Sequence, residues 1–295
     1  MKVIVSGASG LIGSALCTKL ASGGHDVVKL VRRTAGPNEI EWDPANGKLA
    51  ADSLDGADAV VHLAGAGIGD KRWTKEYRQL ILDSRVKSTT LLADTIAASS
   101  NRPPTFLSGS AIGIYGASDG RHLDESSPAG TGFLADVCVQ WEAAAEAATL
   151  AGARVAFLRT GIVLTPEGGA LKKMLPLFKL FVGGRFGNGK QWQSWVSLAD
   201  EVGAIEHLLT SADHGPVNIT APNPVTNTEF AKALGKALGR PSLLPVPKFA
   251  PKLLLGGELA DALLFTGQKV HPQKLIDSGY VFQHPMLPEA FASML

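Results

Sequence analysis

Short apolar runs alternate with longer stretches of helical periodicity through the first half of the chain. The apolar runs are bounded by glycine, proline or polar residues, and they predict strands at residues 2–6, 26–31, 39–42, 57–64, 105–110 and 154–161. Apolar residues at helical spacing predict helices at 11–21, 74–98 and 133–150. Strands that alternate with helices, with few hairpin signals, indicate an α/β fold: a Rossmann-type doubly wound parallel sheet.

The pattern changes after residue 161, where a Gly- and Lys-rich stretch begins. Beyond it we predict helices at 197–210 and 229–238, a strand at 216–220 and a short strand at 280–282. Thr226 and Glu229 have the spacing of a capping box. We expect a nucleotide-binding domain at residues 1–165 and a smaller C-terminal substrate-side lobe at 166–295, some elements of which return to the sheet. Open α/β sheets bind ligands at their carboxyl edge, and we expect the lobe there.

Composition and charge narrow the class of protein. The 295 residues are 45% hydrophobic and carry a net charge of +1, so charge gives no reason to expect a nucleic-acid partner or an anionic membrane surface. No apolar run reaches membrane-spanning length. The two cysteines, Cys17 and Cys138, make no metal site or disulfide framework, and they fit a reducing compartment. We therefore expect a cytoplasmic protein without a metal.

The stretch SGASGLIG has glycines at every third position, directly after the first predicted strand and at the start of the first helix. One glycine permits a tight turn, one lets the backbone approach a pyrophosphate, and one lets the helix pack on the sheet with its N–H groups facing the phosphates. The alternative is a Gly-rich turn that binds nothing. The context favours a dinucleotide site formed by Gly7, Ser9, Gly10, Leu11, Ile12 and Gly13.

The end of the second predicted strand indicates which dinucleotide binds. Arg32 and Arg33 follow this strand, and no acid stands there to bind the ribose hydroxyls. Two guanidinium groups suit a 2′-phosphate and favour NADP(H) over NAD(H), whereas the alternative is a solvated basic turn. The fourth predicted strand ends in Leu63, Ala64 and Gly65, and a backbone that lies against the cofactor needs this lack of bulk.

Six motifs follow the order of one known superfamily over most of the chain: SGASGLIG, VVHLAG, SGSAIGIYG, WEAAA, RTGIVL and WVSLADEVGAI. Together they resemble the short-chain dehydrogenase/reductase superfamily in its extended, sugar-nucleotide-epimerase-like form. The C-terminal run TGQKVHPQKLIDSGYVFQHPMLPEAF is similar to an atypical NAD(P)-dependent epimerase-like subfamily, some members of which are labelled cell-division-inhibitor-like. The resemblance implies the fold and the cofactor more strongly than the activity, because one fold hosts many reactions.

The resemblance also implies a Tyr-x-x-x-Lys pair with a serine and often an asparagine. In that superfamily the tyrosine exchanges a proton with the substrate oxygen, the lysine lowers the pKa of the tyrosine, and the serine positions the oxygen. None of the three tyrosines here is followed by lysine at that spacing. Alignment of WEAAA puts Leu134 at the tyrosine position and Cys138 at the lysine position, and Arg85 falls at the asparagine position. The atypical subfamily is similar in these departures.

The remaining chemistry rests on a few side chains. Ser110, with Ser108 next, ends a strand at the carboxyl edge, although a hydroxyl there can also hold backbone. For Cys138 a packing role is favoured over a reactive thiolate, which needs a nearby cation. Tyr115 is a candidate displaced proton donor, with an aromatic loop anchor as the favoured alternative. Arg85 is assigned to a cofactor phosphate or an anionic substrate group, and its alternative is a surface arginine.

A Gly-rich loop in the C-terminal half is the candidate substrate side. By analogy with the fold family, such a loop contacts the phosphates or sugar of the substrate, and the alternative is a solvated basic loop. The candidate residues are Arg185, Asn188, Lys190, Gln191 and Trp195.

Two functions from different classes follow. The kept serine and the substrate-side lobe favour an NADP(H)-binding oxidoreductase or epimerase-like enzyme on a small polar or nucleotide-linked substrate. The missing tyrosine and lysine favour a catalytically silent NADP(H) sensor or interaction protein. The resemblance also makes a homodimer an option, through an interface built from the helices at 74–98 and 133–150.

Overall fold

The computed structural model describes residues 1–242 and 245–295. The strands are β1 (Lys2–Ser6), β2 (Asp26–Val31), β3 (Glu39–Glu41), β4 (Ala59–His62), β5 (Thr105–Ala111), β6 (His122–Leu123), β7 (Arg154–Thr160), β8 (Ile162–Thr165), β9 (Trp192–Gln193), β10 (Trp195–Ser197), β11 (Gly215–Ile219), β12 (Val225–Thr226) and β13 (Lys269–Val270). The helices are α1 (Leu11–Ser22), α2 (Lys75–Ala98), α3 (Phe133–Ala143), α4 (Glu146–Leu150), α5 (Gly169–Lys179), α6 (Leu198–Thr210), α7 (Asn227–Ala237), α8 (Phe249–Leu255), α9 (Gly257–Ala260), α10 (Gln273–Asp277) and α11 (Leu287–Met294).

Seven of these strands form one sheet in the order β11-β7-β5-β4-β1-β2-β3. Every neighbouring pair in it is parallel. From β1 the chain adds β2 and β3 on one side. It then crosses to the other side of β1 and adds β4, β5, β7 and β11 in turn. The predicted Rossmann-type, doubly wound α/β fold is confirmed. The reversal between β1 and β4 opens a crevice beyond their carboxyl ends, which is where this architecture binds its ligands.

Helices cover both faces of the sheet, because the side chains of a strand alternate between the two faces. On one face Val5 of β1 packs with Leu16 of α1 and Ile205 of α6. On the other face Ile4 of β1 packs with Leu92 of α2, in a cluster that includes α4. The central strands are therefore buried on both sides, which explains why they read as continuous apolar runs.

The C-terminal half divides between the sheet and a separate core. Helix α6 and strand β11 return to the sheet, where β11 pairs with β7. The helices α5, α7 and α11 pack instead around the fully buried Trp195. The capping box before α7 is present, with Thr226 and Glu229 bonded reciprocally. No described helix is both long and apolar enough to cross a membrane.

Two predicted elements differ from the structure. The single helix at 133–150 is two helices, because the Ala145 N–H bonds the Glu142 carbonyl three residues back and tightens the chain there. The strand at 280–282 is wrong, because this segment pairs with no other strand. The buried carboxylate of Asp200 holds it instead, accepting from the Tyr280 hydroxyl at 3.1 Å and the Gln283 N–H at 2.7 Å.

Candidate functional site

The glycine loop between β1 and α1 forms a backbone cradle at the crevice. Gly7 has φ +69°, and a Cβ there would lie 2.7 Å from the Leu63 carbonyl carbon. A Cβ on Gly13 would lie 2.2 Å from the Gly7 carbonyl oxygen, so loop and helix pack too closely for a side chain. Gly10 begins α1 without a side-chain cap, and no acid lies in the first turn. The N–H groups of that turn therefore form an end that suits a pyrophosphate.

A fully buried histidine fixes the backbone on the β4 side of the cradle. The Ser6 hydroxyl accepts the Leu63 N–H at 3.2 Å, and its oxygen lies 2.5 Å from His62 Nδ1. The Nε2 atom of the ring lies 3.0 Å from Ser88 Oγ. Burial lowers the pKa of His62 to about 3, so the ring is neutral. His62 therefore has a positioning role: it fixes the Ser6 hydroxyl, and through it the Leu63 backbone that lies against the glycine loop.

Arg85 of α2 lies against Gly65 and Ala66, in the segment that follows β4. Its guanidinium donates to the carbonyl oxygens of Ala66 at 2.9 Å and Ile81 at 3.0 Å, and lies 5.0 Å from the Trp141 ring centroid. A Cβ on Gly65 would approach the guanidinium carbon to 3.2 Å. Burial lowers the pKa of Arg85, and within the described residues no acid pairs with it. Arg85 is thus a half-buried cation beside the crevice.

Arg32 and Arg33 lie where expected, exposed at the carboxyl end of β2, but their partners differ. The Arg33 guanidinium pairs with both oxygens of Glu39, at 2.8 and 2.7 Å. Arg32 has no ion-pair partner in the described parts of the chain. At the candidate 2′-phosphate site, the Arg33 guanidinium is therefore already paired with Glu39, whereas the Arg32 guanidinium has no ion-pair partner among the described residues.

The Ser110 hydroxyl belongs to a three-residue polar group. It donates to Glu142 Oε1 at 2.7 Å, and Arg159 donates to the same carboxylate through Nε at 2.8 Å and Nη2 at 2.9 Å. The side chains of Arg159 and Glu142 are only 9% and 13% exposed. Our sequence reasoning missed both. One signal was available: Glu142 lies one helical turn after Cys138, on the same face of α3.

The polar group continues from Arg159 into the protein interior. Arg159 Nη1 donates to the Tyr115 hydroxyl at 3.0 Å, and that hydroxyl donates to Asn218 Oδ1 at 2.7 Å. The Asn218 N–H in turn donates to Glu125 at 3.0 Å. Tyr115 is 3% exposed, and burial raises its pKa. The Tyr115 hydroxyl is therefore held inside this network, as a loop anchor would be, and a role as displaced proton donor stays a prediction.

The candidates Cys138 and Ser108 are buried, and Leu134, which takes the tyrosine position of the family, is half-buried. Burial raises the pKa of the Cys138 thiol to about 12, so it stays protonated and packs as a small apolar group. Leu134 lies against Gly113, where a Cβ would meet it at 3.4 Å. Ser108 is fully buried, and its hydroxyl has no partner in the described structure. Ser110, at 5% exposed, is buried as well, but it lies nearer the carboxyl end of β5 and its hydroxyl has a partner.

The predicted substrate loop contains one residue that belongs elsewhere. Trp195 is fully buried and donates its indole N–H to the Asn223 carbonyl at 3.1 Å. The large ring fills the core formed by α5, α7 and α11, which does not favour a substrate contact, and that contact stays a prediction. Across residues 1–242 and 245–295, no three His, Cys, Asp or Glu side chains come together as a metal site.

The rest of the loop is held by a few polar contacts. Gln191 donates to the carbonyl oxygens of Phe186 at 3.2 Å and Leu264 at 2.7 Å, which fixes the loop against the C-terminal segment. Asn188 and Lys190 are exposed. The half-buried Arg185 has a buried Nε with no partner in the described structure. These polar groups stay candidates for a substrate.

Comparison with known proteins identifies the family to which the chain belongs. Residues 3–220 match the NAD dependent epimerase/dehydratase family. The chain belongs to this family. Residues 246–294 match a further conserved unit, a domain of unknown function designated DUF1731. The resemblance to epimerase-like short-chain dehydrogenase/reductases, first drawn from the sequence motifs, is thereby confirmed.

Several members of the epimerase/dehydratase family are similar over the full chain. An epimerase family protein of Mycobacterium leprae is 43% identical over 295 residues, covering 98% of this chain and 94% of that protein. The structure of human epimerase family protein SDR39U1 (isoform 2) with NADPH matches with a TM-score of 0.90 at 34% identity, covering 100% of this chain and 99% of the human one. A nucleoside-diphosphate sugar epimerase from Corynebacterium glutamicum is 37% identical with a TM-score of 0.82, and the match covers 100% of this chain and 58% of that one.

Proposed function

We propose that this chain binds NADP(H) at the carboxyl edge of the sheet and is a redox or epimerase-like enzyme on a small polar or nucleotide-linked substrate. The human relative solved with NADPH supports the cofactor. The sugar epimerase from Corynebacterium supports the substrate class. The observation that carries the enzymatic part is the hydrogen bond from Ser110 to Glu142, because it couples the family's serine position to a proton acceptor.

The residues at the crevice fit a dinucleotide. Gly7, Gly10 and Gly13 leave a cradle that side chains would fill, and the uncapped start of α1 provides N–H donors for a pyrophosphate. Ser9, Leu11 and Ile12 belong to the same loop, and Leu63, Ala64 and Gly65 provide the opposite wall. When bound, the nicotinamide supplies a hydride acceptor or donor.

Ser110 and Glu142 would move the proton that accompanies this hydride. The Ser110 proton points to Glu142, so the oxygen lone pairs are left to accept a hydrogen bond from a substrate hydroxyl. As the substrate carbon loses its hydride, its hydroxyl proton passes to Ser110 Oγ, and the Ser110 proton passes to Glu142. The substrate becomes a carbonyl compound and Glu142 holds the proton. The reverse sequence returns both.

We call the group formed by Ser110, Glu142 and Arg159 the Ser110 corner. Arg159 and Arg85 would supply the positive charge in and beside it. Arg159 donates to both oxygens of Glu142, which fixes the direction in which the carboxylate faces Ser110. Arg85 lies near Cys138, and its charge opposes the rise in the pKa of that thiol. Since Cys138 stands at the lysine position of the family, we assign Arg85 the positive charge that the lysine supplies elsewhere, toward a cofactor phosphate or an anionic substrate group.

The substrate side would be the loop that carries Arg185, Asn188 and Lys190, positioned by Gln191. The Nε of Arg185, which has no partner among the described residues, is a donor that a phosphate or sugar oxygen would satisfy. A homodimer and a cytoplasmic location stay predictions. Leu80 of α2 and Val139 of α3 are exposed apolar residues on the helices that the resemblance assigns to a dimer.

The deciding experiment incubates the protein with NADP⁺ or NADPH and a cytosolic metabolite extract, followed by a separation that resolves stereoisomers. We expect one metabolite to change only when protein and cofactor are both present. Ser110→Ala and Glu142→Gln should each slow that change by about 10²–10⁴-fold, the range of general acid–base catalysis. Ser293→Ala, an exposed serine on α11, is the matched control and should retain full activity. No change despite tight NADPH binding would favour the silent sensor.

A further inference from the structure

Strand β3 begins with an acid, Glu39, that our sequence reasoning did not consider. Family members that bind NAD(H) place an acid at the end of the second strand, where it binds the ribose hydroxyls. This chain has Arg32 and Arg33 there, but Glu39 of β3 reaches back to the same place. Both oxygens of Glu39 are occupied, one by Arg33 Nη2 at 2.7 Å and the other by Arg33 Nη1 and the Gly36 N–H, both at 2.8 Å.

The arrangement of this pair is asymmetric. The Glu39 side chain is 14% exposed and that of Arg33 is 65% exposed, so the guanidinium covers the carboxylate on the solvent side. Arg33 Nη1 also donates to the Thr34 carbonyl at 3.0 Å, which holds the guanidinium in the loop. These bonds use the end of the guanidinium fork that would otherwise grip a phosphate. The hydrogen bonds from Arg33 also lower the pKa of Glu39, which therefore stays ionised.

We propose that Arg32 binds the 2′-phosphate directly, and that Arg33 is a charge shield over Glu39 that makes the loop tolerate this phosphate. The inference rests on the proposed NADP(H) binding. A phosphate monoester carries nearly two negative charges at neutral pH, so an uncovered carboxylate nearby would repel it. The same carboxylate would be free to accept a hydrogen bond from the ribose hydroxyl of NADH. The Arg33–Glu39 pair is therefore a specificity-determining element.

The test is a set of NADPH and NADH titrations, followed by the change in nicotinamide fluorescence, on the full-length protein. The variants are Arg32→Ala, Arg33→Ala, Glu39→Gln and the double variant Arg33→Ala/Glu39→Gln. Arg102→Ala is the matched control, because Arg102 is an exposed arginine just before β5. It therefore lies at the amino ends of the strands, away from the carboxyl ends where the cofactor is proposed to bind. This variant removes the same charge from the chain without touching the loop.

We expect Arg32→Ala to weaken NADPH about 30-fold, the range for a lost charge-assisted hydrogen bond, and to leave NADH unchanged. Arg33→Ala should weaken NADPH by at least about tenfold and leave NADH binding equal or tighter, because Glu39 is uncovered. Adding Glu39→Gln to Arg33→Ala should restore most of the lost NADPH affinity. Glu39→Gln alone and Arg102→Ala should leave NADPH binding within about twofold.

Each other outcome has a distinct meaning. If the double variant binds NADPH as weakly as Arg33→Ala does, Arg33 contacts the phosphate itself and the shield is wrong. Equal losses of NADPH and NADH in Arg33→Ala would show that the pair only supports the loop, which also overturns the inference. A wild-type protein that binds both dinucleotides equally would refute the specificity element and leave cofactor binding standing. Failure to bind either one would refute the proposed function itself.

Discussion

The glycine cradle and the Ser110 corner lie at the same edge of the sheet, but they are built differently. The cradle is backbone: its shape depends on three glycines, and Gly7 and Gly13 leave no room for a Cβ. The corner is made of side chains from β5, α3 and β7, joined through the Glu142 carboxylate. A backbone site is encoded by a few neighbouring residues. A side-chain network is encoded by residues far apart, whose relation exists only after folding.

The sharpest test of the backbone side is Gly13→Ala. The added Cβ would meet the Gly7 carbonyl oxygen at 2.2 Å, so the loop and α1 must separate. We expect NADPH affinity to fall at least about 100-fold, close to 3 kcal/mol, measured by titration. Gly10→Ala is the graded control, because its Cβ would lie 3.2 Å from the same oxygen. Equal, small losses in both variants would mean that the loop is soft and the comparison fails.

The side-chain corner is tested by Arg159→Met. This change leaves Glu142 nearly buried without its cation, and we expect the free energy of unfolding to fall by about 3 kcal/mol in urea denaturation. Arg78→Met removes one member of an exposed pair with Glu258, whose side chains are 38% and 53% exposed, and should cost less than about 1 kcal/mol. Similar losses in the two variants would show that burial does not distinguish the corner from an ordinary surface pair.

Another buried carboxyl, Glu201 of α6, sharpens the contrast, because no cation pairs with it in the described part of the chain. It accepts only from the Thr160 hydroxyl, at 2.8 Å, and its other oxygen has no partner in the described structure. Burial raises the pKa of Glu201 to about 8. A pKa raised on folding contributes stability that is full below the unfolded value and is lost as pH rises through the folded value.

The wild-type protein should therefore lose stability between pH 5 and 9 relative to Glu201→Gln, by on the order of 3 kcal/mol. The measurement is urea unfolding of both proteins across this range. We compare the slopes of unfolding free energy against pH and not the absolute values, because the glutamine amide of the variant also leaves one buried atom without a partner. Parallel slopes would show that Glu201 is ionised at neutral pH, and the contrast between the two buried carboxyls would fail.

The smallest expected effect concerns a locally encoded contact in the C-terminal half. Thr226→Ala removes the capping box of α7 and should cost about 1 kcal/mol of unfolding free energy. NADPH affinity should stay unchanged, because α7 packs in the C-terminal core. A clear loss of NADPH affinity in Thr226→Ala would mean that the two halves of the chain are coupled more tightly than their cores suggest.

These contrasts also explain what could be predicted from sequence. The strands β1, β2 and β5, the glycine loop and the capping box follow from periodicity and short motifs, since each depends on adjacent residues. The break between α3 and α4 has no glycine or proline to mark it. The partnership of Ser110, Glu142 and Arg159 needs β5 beside β7 and α3 above them, so it could not be predicted without the topology. Tyr280 and Phe282 alternate like a strand, but they pack on the core of α1 and α6.

The hydrogen-bond chain behind Arg159 has a consequence for how the protein is made on the ribosome. Tyr115 is synthesised early, but its acceptor Asn218 comes about a hundred residues later, and the Asn218 amide is itself held by the carbonyl of His271. A nascent chain therefore carries Tyr115 long before the residues that hold its hydroxyl have been synthesised. During synthesis, this buried hydroxyl should gain its partner only after β11 has been made.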